Sequence, residues 1–482
     1  MGYLKARLAD RTEIQSEIEF EDQPLDSGAE KVVFFTRDHK HVICFFFGQL
    51  RDRQERRKRL GKILHEFNPT TASGTGDYWK SHFCWPVGVV DGGVSCSNTF
   101  LSTHQISNLP LAVVAPAYRS NFYYKDRTGA MRQKQGKWFT SPKCIKLVPE
   151  SERGDFRGSL QLCAKMARAV RRMHFAGLAH SDLSNKNVLI DPKSGDSCII
   201  DIDSLVVPKV APPSVYGTPG YIAPEVVGGK ALPSIATDRH ALAVLIYETL
   251  LHRHPLEGSK VPSAKSPEEQ ERLEKGPEAL FVEHPTDHSN HLRPPPAIPV
   301  SRMGRYLEKL FCKTFVDGLH QPDRRADASE WEKALYRTID WLYPCPGGKD
   351  WFILGPGMPR QCPHSGQVVS GPVPLVRFYR EDRPGHFVNE GPCLTVSPNL
   401  VLYRWHTRAN TFPAENADPT PQGYIAFHQN KYYLVNQSDE DMHVVHGARI
   451  RRGQSMVIER GLMVRGSLQP GERLLWFDFM ES

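Results

Sequence analysis

The sequence predicts an α+β chain with a β-rich N-lobe and a helical C-lobe, followed by a short linking segment and a small all-β domain. Three observations lead there. Short β-rich runs at 31–35 and 41–47 come before any long helical pattern. Leu160, Cys163, Ala164, Ala167 and Val170 then recur at helical spacing, and beyond 343–348 the runs become short and β-rich again. The chain has 482 residues, and single cores rarely grow past about 250–300, so more than one folding unit is expected.

Taken in order, a basic stretch over 52–67 predicts one helix in the first lobe. Polar segments at 68–80 and 124–137 lack periodicity and read as surface insertions. Gly177 stops the helix that begins near Leu160. A second helix should start near Asp238 and run through Leu242, Leu245, Ile246 and Leu250, and a third carries Trp331, Leu335 and Ile339. Residues 260–300 are polar and proline-rich, an excursion from the core. The runs 400–405, 423–428, 432–436, 455–459 and 473–479 predict a small sandwich or barrel. The divisions are therefore residues 1–118 (N-lobe), 119–343 (C-lobe), 344–370 (linking segment) and 371–482 (β-domain).

Composition excludes several classes. A hydrophobic content of 40% with 24% charged residues is that of a folded protein and excludes wholesale disorder. The net charge of +7 is dispersed, which suits a nucleotide or an acidic partner and marks no nucleic-acid site. Ten cysteines in apolar surroundings such as 42–45 read as reduced thiols and predict a cytoplasmic protein. The first residues are too polar for a signal peptide, and the apolar run 241–251 is broken by Glu248, so no membrane span is expected. Gly2 is no myristoylation site, because Ala6 stands where that motif needs Ser or Thr.

The strongest local signal is His180-Ser181-Asp182-Leu183-Ser184-Asn185-Lys186-Asn187, followed by Asp201-Ile202-Asp203 and by Gly217-Thr218-Pro219-Gly220-Tyr221-Ile222-Ala223-Pro224-Glu225. Their order and spacing resemble the catalytic loop, metal-binding triplet and Ala-Pro-Glu motif of protein kinases. An Asp/Asn-rich turn would explain the first run but not the other two. Phosphoryl transfer needs a positioned base, metal ligands and cations, and each has a candidate. Asp182 would accept the hydroxyl proton, while Asn187 and Asp201 would offer hard oxygen ligands to Mg²⁺. The resemblance implies that Thr218 contacts Asp182, that Glu225 pairs with Arg325, and that Asp238 accepts amides of the catalytic loop. An ordinary helix-start carboxylate is the other reading of Asp238.

The chain departs from the kinase pattern in four places. Ser181 replaces the Arg that reads a phosphorylated activation loop, which makes that mode of activation less expected. Ser184 replaces a Lys, yet Lys186, four residues after Asp182, supplies a cation near the transferring phosphate. Ile202 and Asp203 replace Phe and Gly, and Asp203 either caps a turn, the favoured reading, or touches a second metal. In the nucleotide loop 25–34 only Gly28 of the glycines remains, and Cys44 stands where the strand Lys belongs. Lys31 occupies the third-glycine position, an arrangement that resembles the with-no-lysine kinases. An exposed surface Lys is the alternative. ATP is expected to meet backbone at Ala115 and Ala117, and Glu55, or behind it Glu66, is the candidate partner for the phosphate-binding Lys.

The runs 136–142, 177–184 and 237–247 resemble the bacterial kinases of the TerY-P triad, over about residues 26–428. That resemblance implies a bilobal protein-kinase-like fold, ATP and Mg²⁺ as cofactors, serine/threonine specificity, and as partners a von Willebrand A-type protein and a PP2C-type phosphatase. Cys345-Pro346-Gly347-Gly348 and Cys362-Pro363-His364 are similar to zinc-ribbon knuckles that have each lost a cysteine. Cys345, Cys362 and His364 fall short of four ligands, so a zinc-free, degenerate ribbon is expected. The last domain resembles forkhead-associated sandwiches but lacks their phosphothreonine signature. A nucleotide-binding pseudokinase scaffold and a nucleotidyl transferase are the competing readings.

Overall fold

The computed structural model describes residues 2–28, 30–48, 52–213, 217–261, 264–348, 350–414 and 416–480. It divides into two compact units, one comprising Met1–Gly154, Gly158–Pro296 and Lys309–Glu332, the other Asp155–Arg157, Ala297–Glu308 and Lys333–Ser482.

In the first unit, an antiparallel six-stranded sheet runs in the order Asp10–Arg11, Gly88–Asp91, Leu111–Pro116, His41–Phe46, Lys31–Phe35, Asp26–Ser27. Two-residue alternation explains its two faces. Val32, Phe34, Ile43, Phe45, Ala112 and Val114 bury one face. Phe46, Val89, Leu111 and Val113 bury the other against Leu60 and Leu64 of the helix Arg53–Leu64.

The helical part follows the predicted pattern. Phe156–Phe175 buries Leu160, Cys163, Ala164, Ala167 and Val170, and the chain leaves it through Gly177, whose φ of 74° suits a residue without Cβ. Ile235–Leu251 begins with a capping box between Ser234 and Thr237 and is buried on nearly all sides, so it is a core helix. Ala328–Ile339 carries Trp331, which packs on Phe311 with the ring centroids 4.9 Å apart and the rings tilted by 55°.

Two predicted surface insertions prove structured. Residues 68–80 contribute most of a helix, Gly76–His82, which is too short to show a period, and its Trp79 is buried against Phe83 and Trp85. Residues 124–137 contain a hairpin of Tyr123–Lys125 with Met131–Gln133, and then Lys134, buried between Asp191 at 2.8 Å and Glu152 at 2.7 Å. The excursion 260–300 is likewise anchored, since Asn290 is buried and donates to the Leu256 carbonyl at 3.0 Å.

In the second unit a six-stranded sheet (His386–Thr395, Pro374–Arg383, Leu474–Phe479, Met463–Arg465, Met442–Val444, Arg449–Ile450) and a four-stranded sheet (Val401–Tyr403, Pro421–His428, Lys431–Asn436, Ser455–Val457) share one core. Val376, Phe378, Leu475 and Phe477 from the first meet Leu402, Ile425 and Leu434 from the second. The strands Pro374–Arg383 and His386–Thr395 were not among the predicted runs, because their outer halves are charged and exposed.

The hairpin of Leu342–Pro344 with Trp351–Ile353 leads into the two knuckles. Here the expectation of reduced thiols throughout needs correction. Cys345 and Cys362 are joined as a disulfide, their Cα atoms 5.8 Å apart, because each knuckle keeps one cysteine and turns it into the same small core of Tyr343, Phe352 and Leu354. The other eight cysteines form no disulfide. Among the described residues no helix is long and apolar enough to cross a membrane.

Candidate active site

The catalytic-loop run and the Asp201 segment are brought together by one hairpin. Val188–Asp191 pairs with Asp196–Ile199, and the ladder continues one step further, Ile200 donating its N–H to the Asn187 carbonyl at 3.0 Å. Asn187 and Asp201 therefore stand side by side. The loop is held from beneath by Asp238, 2% exposed, which accepts the His180 N–H at 2.7 Å and lies 3.2 Å from the His174 ring. Because Ser234 and Thr237 already cap that helix, Asp238 is free to serve the loop. The His180 ring contacts the Ile200 carbonyl at 2.8 Å. Ser181 adopts a φ of 62° and donates its hydroxyl to the Ser204 carbonyl at 2.8 Å, so the residue that replaces Arg ties the loop to the chain after Asp201.

Asp182 is fixed through both carboxylate oxygens. Thr218 donates its backbone N–H to Oδ1 at 2.6 Å, and Asn187 donates Nδ2 to Oδ2 and to the Asp182 carbonyl, each at 2.9 Å. The contact from Thr218 is thus made by its amide. Gly217, with a φ of 117°, brings that amide in. The arrangement commits the Asn187 amide nitrogen to Asp182 and leaves its Oδ1 as the acceptor. Lys186 projects to solvent. Glu225 and Arg325 form a buried bidentate pair at 2.8 and 2.7 Å, and Arg325 also donates to the carbonyls of Ala236, Gly318 and Leu319, which satisfies the guanidinium.

Across the cleft, Gly28 opens a tight turn, its N–H donating to the Lys31 carbonyl at 2.9 Å; Ala29 lies outside the described residues. Lys31 is no surface residue. Its side chain is 16% exposed, and its ammonium meets Asp201 and both oxygens of Asp203, the latter at 2.8 and 3.0 Å. Burial opposes the charge, yet Asp201 and Asp203 hold the Lys31 pKa above its ordinary value. Burial also opposes ionisation of Asp201, but Lys31 keeps it below the usual range, whereas burial and the neighbouring Asp201 push Asp203 up. Cys44, pushed up to about 12 by burial, is a neutral thiol. Asp203 does not cap a turn, because its carboxylate is turned to Lys31.

The end of the cleft around residues 115–118 shows two features that the sequence reading lacks. Tyr118 packs on the floor formed by Phe122, Leu189, Cys198 and Ile200, and with Val33, Val42 and Cys44 of the sheet it bounds a cavity of about 110 Å³. Its ring thus lines the cleft. Ala115 lies in the strand Leu111–Pro116 opposite Val42, and Ala117 spends its N–H on the Lys40 carbonyl at 2.9 Å. Glu55 and Glu66 are both exposed, and neither approaches Lys31. The helix instead turns Arg56 and Arg59 inward. Arg59, 2% exposed, donates to the Ala211 carbonyl at 2.9 Å. The i, i+3, i+4 spacing of Arg56, Arg59, Leu60, Ile63 and Leu64 was the available signal for that face.

Residues 152–327 match the family model described as the protein kinase domain. The chain is 35% identical over 117 residues to the serine/threonine-protein kinase PknA of Mycobacterium tuberculosis, a match covering 23% of this chain and 26% of PknA. It is 31% identical over 124 residues to PkaB of Streptomyces coelicolor, covering 23% and 28% of the two chains. With PSK1 of Saccharomyces cerevisiae it shares 33% over 92 residues, covering 19% of this chain and 7% of PSK1. The matches thus span about a quarter or less of the length of PknA and PSK1. Among solved structures, a rhoptry kinase from Toxoplasma gondii superposes with a TM-score of 0.41 at 14% identity, over 70% of this chain and 84% of that one. ROP2 from Toxoplasma gondii, described as having a protein-kinase fold and no enzymatic activity, gives 0.43 at 11% identity, over 70% and 84%. Residues 152–327 of this chain therefore carry a protein kinase-like domain whose sequence relatives are serine/threonine kinases.

Proposed function

We propose that the protein is an ATP- and Mg²⁺-dependent kinase that transfers the γ-phosphate of ATP to serine or threonine hydroxyls of a protein. The observation that carries this reading is Asp182, gripped by the Thr218 amide and by Asn187, whose carbonyl pairs with Ile200, the residue before Asp201. Asp182 Oδ2 would orient the incoming hydroxyl and take its proton. The donor set fits a hard cation, because Asn187 commits its amide nitrogen to Asp182 and keeps Oδ1 as an oxygen donor, and Asp201 adds a carboxylate. Asn187 and Asp201 would hold Mg²⁺, which would supply positive charge to offset that of the phosphates.

Lys31 would exchange its contact with Asp201 for the α- and β-phosphates, under the turn that Gly28 opens. Lys186, exposed and four residues after Asp182, would offer a cation to the transferring group. Ala115 and Ala117 would meet the adenine edge through backbone, and because the Ala117 N–H is donated to Lys40, its carbonyl is the group it offers. By the resemblance of its motifs, the protein would act in a bacterial cytoplasm with a von Willebrand A-type protein and a PP2C-type phosphatase. The second unit would supply a zinc-free, ribbon-like segment and a small sandwich.

A nucleotide-binding pseudokinase scaffold for the same partners is the second reading. It is favoured by Tyr118 in the cleft, by the spent Ala117 amide and by Lys31 closed on Asp201. Incubating the purified chain with radiolabelled ATP, Mg²⁺ and a general protein substrate separates them. Transfer that Asp182→Asn abolishes supports the kinase; nucleotide binding without transfer supports the scaffold.

A further inference from the structure

We propose that Asp203 orients the phosphate-binding lysine, a task that kinases ordinarily give to a glutamate on the N-lobe helix, so that Lys31 is steered from the Asp201 segment. The inference rests on the kinase reading above. Kinases need that lysine held by a carboxylate, and in this chain Asp203 is a carboxylate in position to hold it. Both of its oxygens lie on Lys31 Nζ, at 2.8 and 3.0 Å, and its side chain is only 6% exposed. The short 3-10 turn Ile202–Ser204 aims it there.

The helix Arg53–Leu64 leaves the post vacant. Its first-turn acid, Glu55, faces solvent, and the buried face carries Arg56 and Arg59. Arg56 takes Glu30 at 3.1 Å and lies 4.6 Å from the centroid of Phe46; Lys31 lies 5.4 Å from the same ring. A helix that already brings cations to this spot cannot orient a further cation by attraction. The charge has moved to the other wall, into the place where kinases carry the third residue of the metal-binding triplet.

This arrangement has a consequence for the reaction. With Asp201 committed to a metal, Lys31 would keep Asp203 as its carboxylate partner, and Asp203 would hold the ammonium in the cleft for the phosphates. Asp203 is thus a positioning residue, acting through Lys31, and not a metal ligand.

A double-mutant cycle on the full-length protein tests this: wild type, Asp203→Asn, Lys31→Met and the double variant, read by KM for ATP, kcat, the Mg²⁺ requirement and thermal midpoint. Asp203→Asn is expected to raise KM for ATP by about tenfold, the effect of a charge-assisted hydrogen bond of about 1.4 kcal/mol. In the Lys31→Met background the same change should add less than about twofold, since interacting residues are non-additive. The Mg²⁺ requirement should not move, and Asp203→Glu should restore part of the loss. An equal cost in both backgrounds, or a raised Mg²⁺ requirement, overturns the proposal in favour of a metal ligand. If Asp203→Asn does not fold, Asp203→Glu and Asp203→Ser carry the cycle. If the wild type binds nucleotide without transfer, the cycle is read on ATP affinity. A wild type that neither binds nor transfers overturns the kinase reading, and this inference with it, an outcome distinct from an additive cycle in an active enzyme.

Discussion

Moving the cleft lysine from one strand to its neighbour, in the double variant Lys31→Gly with Cys44→Lys, tests whether position 31 does the work of the missing strand lysine. The register makes the exchange reasonable. Lys31 lies opposite Phe46 and Val33 opposite Cys44, so positions 31, 33, 44 and 46 share one face of the sheet. Lys31 and Cys44 are offset by two residues, about 7 Å along the strand, which a lysine stem can span. Asp201 and Asp203 both act electrostatically on Cys44, so a lysine there would find the same carboxylates. A charge-assisted hydrogen bond to phosphate contributes about 1.5–3 kcal/mol, so Lys31→Met should lower kcat/KM for ATP by about 10- to 100-fold. Cys44→Ala should change little, since the thiol is neutral at pH 7. The double variant should recover about tenfold over Lys31→Gly alone, by the same arithmetic. Steady-state kinetics at saturating protein substrate read all four variants. Unchanged kcat and KM in Lys31→Met, or no recovery in the double variant, would refute the reasoning.

Tyr118→Ala should tighten nucleotide binding by about tenfold, because it enlarges the cavity of about 110 Å³ that the ring lines, and weaker or unchanged binding would show that the ring is no obstacle. Glu248, raised to about 7 by burial while accepting the Tyr221 hydroxyl, keeps its proton in the folded state after the unfolded chain has released it, so stability should fall as pH rises from about 4.5 to about 7. The loss is of the order of 3 kcal/mol; urea midpoints of wild type and Glu248→Gln check it, and identical slopes in the two would remove Glu248 as the cause. Elemental analysis should find less than one zinc per chain, since Cys345 and Cys362 are spent on each other, and a stoichiometric zinc lost on Cys345→Ser would contradict this.

The contiguous parts of the site could be read from the sequence, because a loop that holds Asp182, Lys186 and Asn187 within six residues carries its geometry in its spacing. The same holds for the helices Phe156–Phe175 and Ile235–Leu251, whose apolar content matches their burial. What escaped depends on partners far along the chain. Nothing near Lys31 announces that its ammonium will meet residues 170 and 172 positions away. Glu55 was chosen by residue type, and the helix rotated it outward because Leu60, Ile63 and Leu64 claim the inner face. Nothing in the sequence around Tyr118 announces that Leu189 and Ile200 will lie beneath its ring. Residues 68–80 read as a surface insertion because a seven-residue helix cannot display a period, although Trp79 is buried there.

The central claim is that Asp182 serves as the base of a phosphotransfer site. The most direct measurement is incorporation of radiolabelled γ-phosphate into a protein substrate by the purified wild type and by Asp182→Asn, with thermal melting of both. The account predicts transfer by the wild type, a loss of about 10²-fold or more in the variant, and little change in melting. Equal incorporation by the two proteins, or nucleotide binding without any transfer by the wild type, would contradict it.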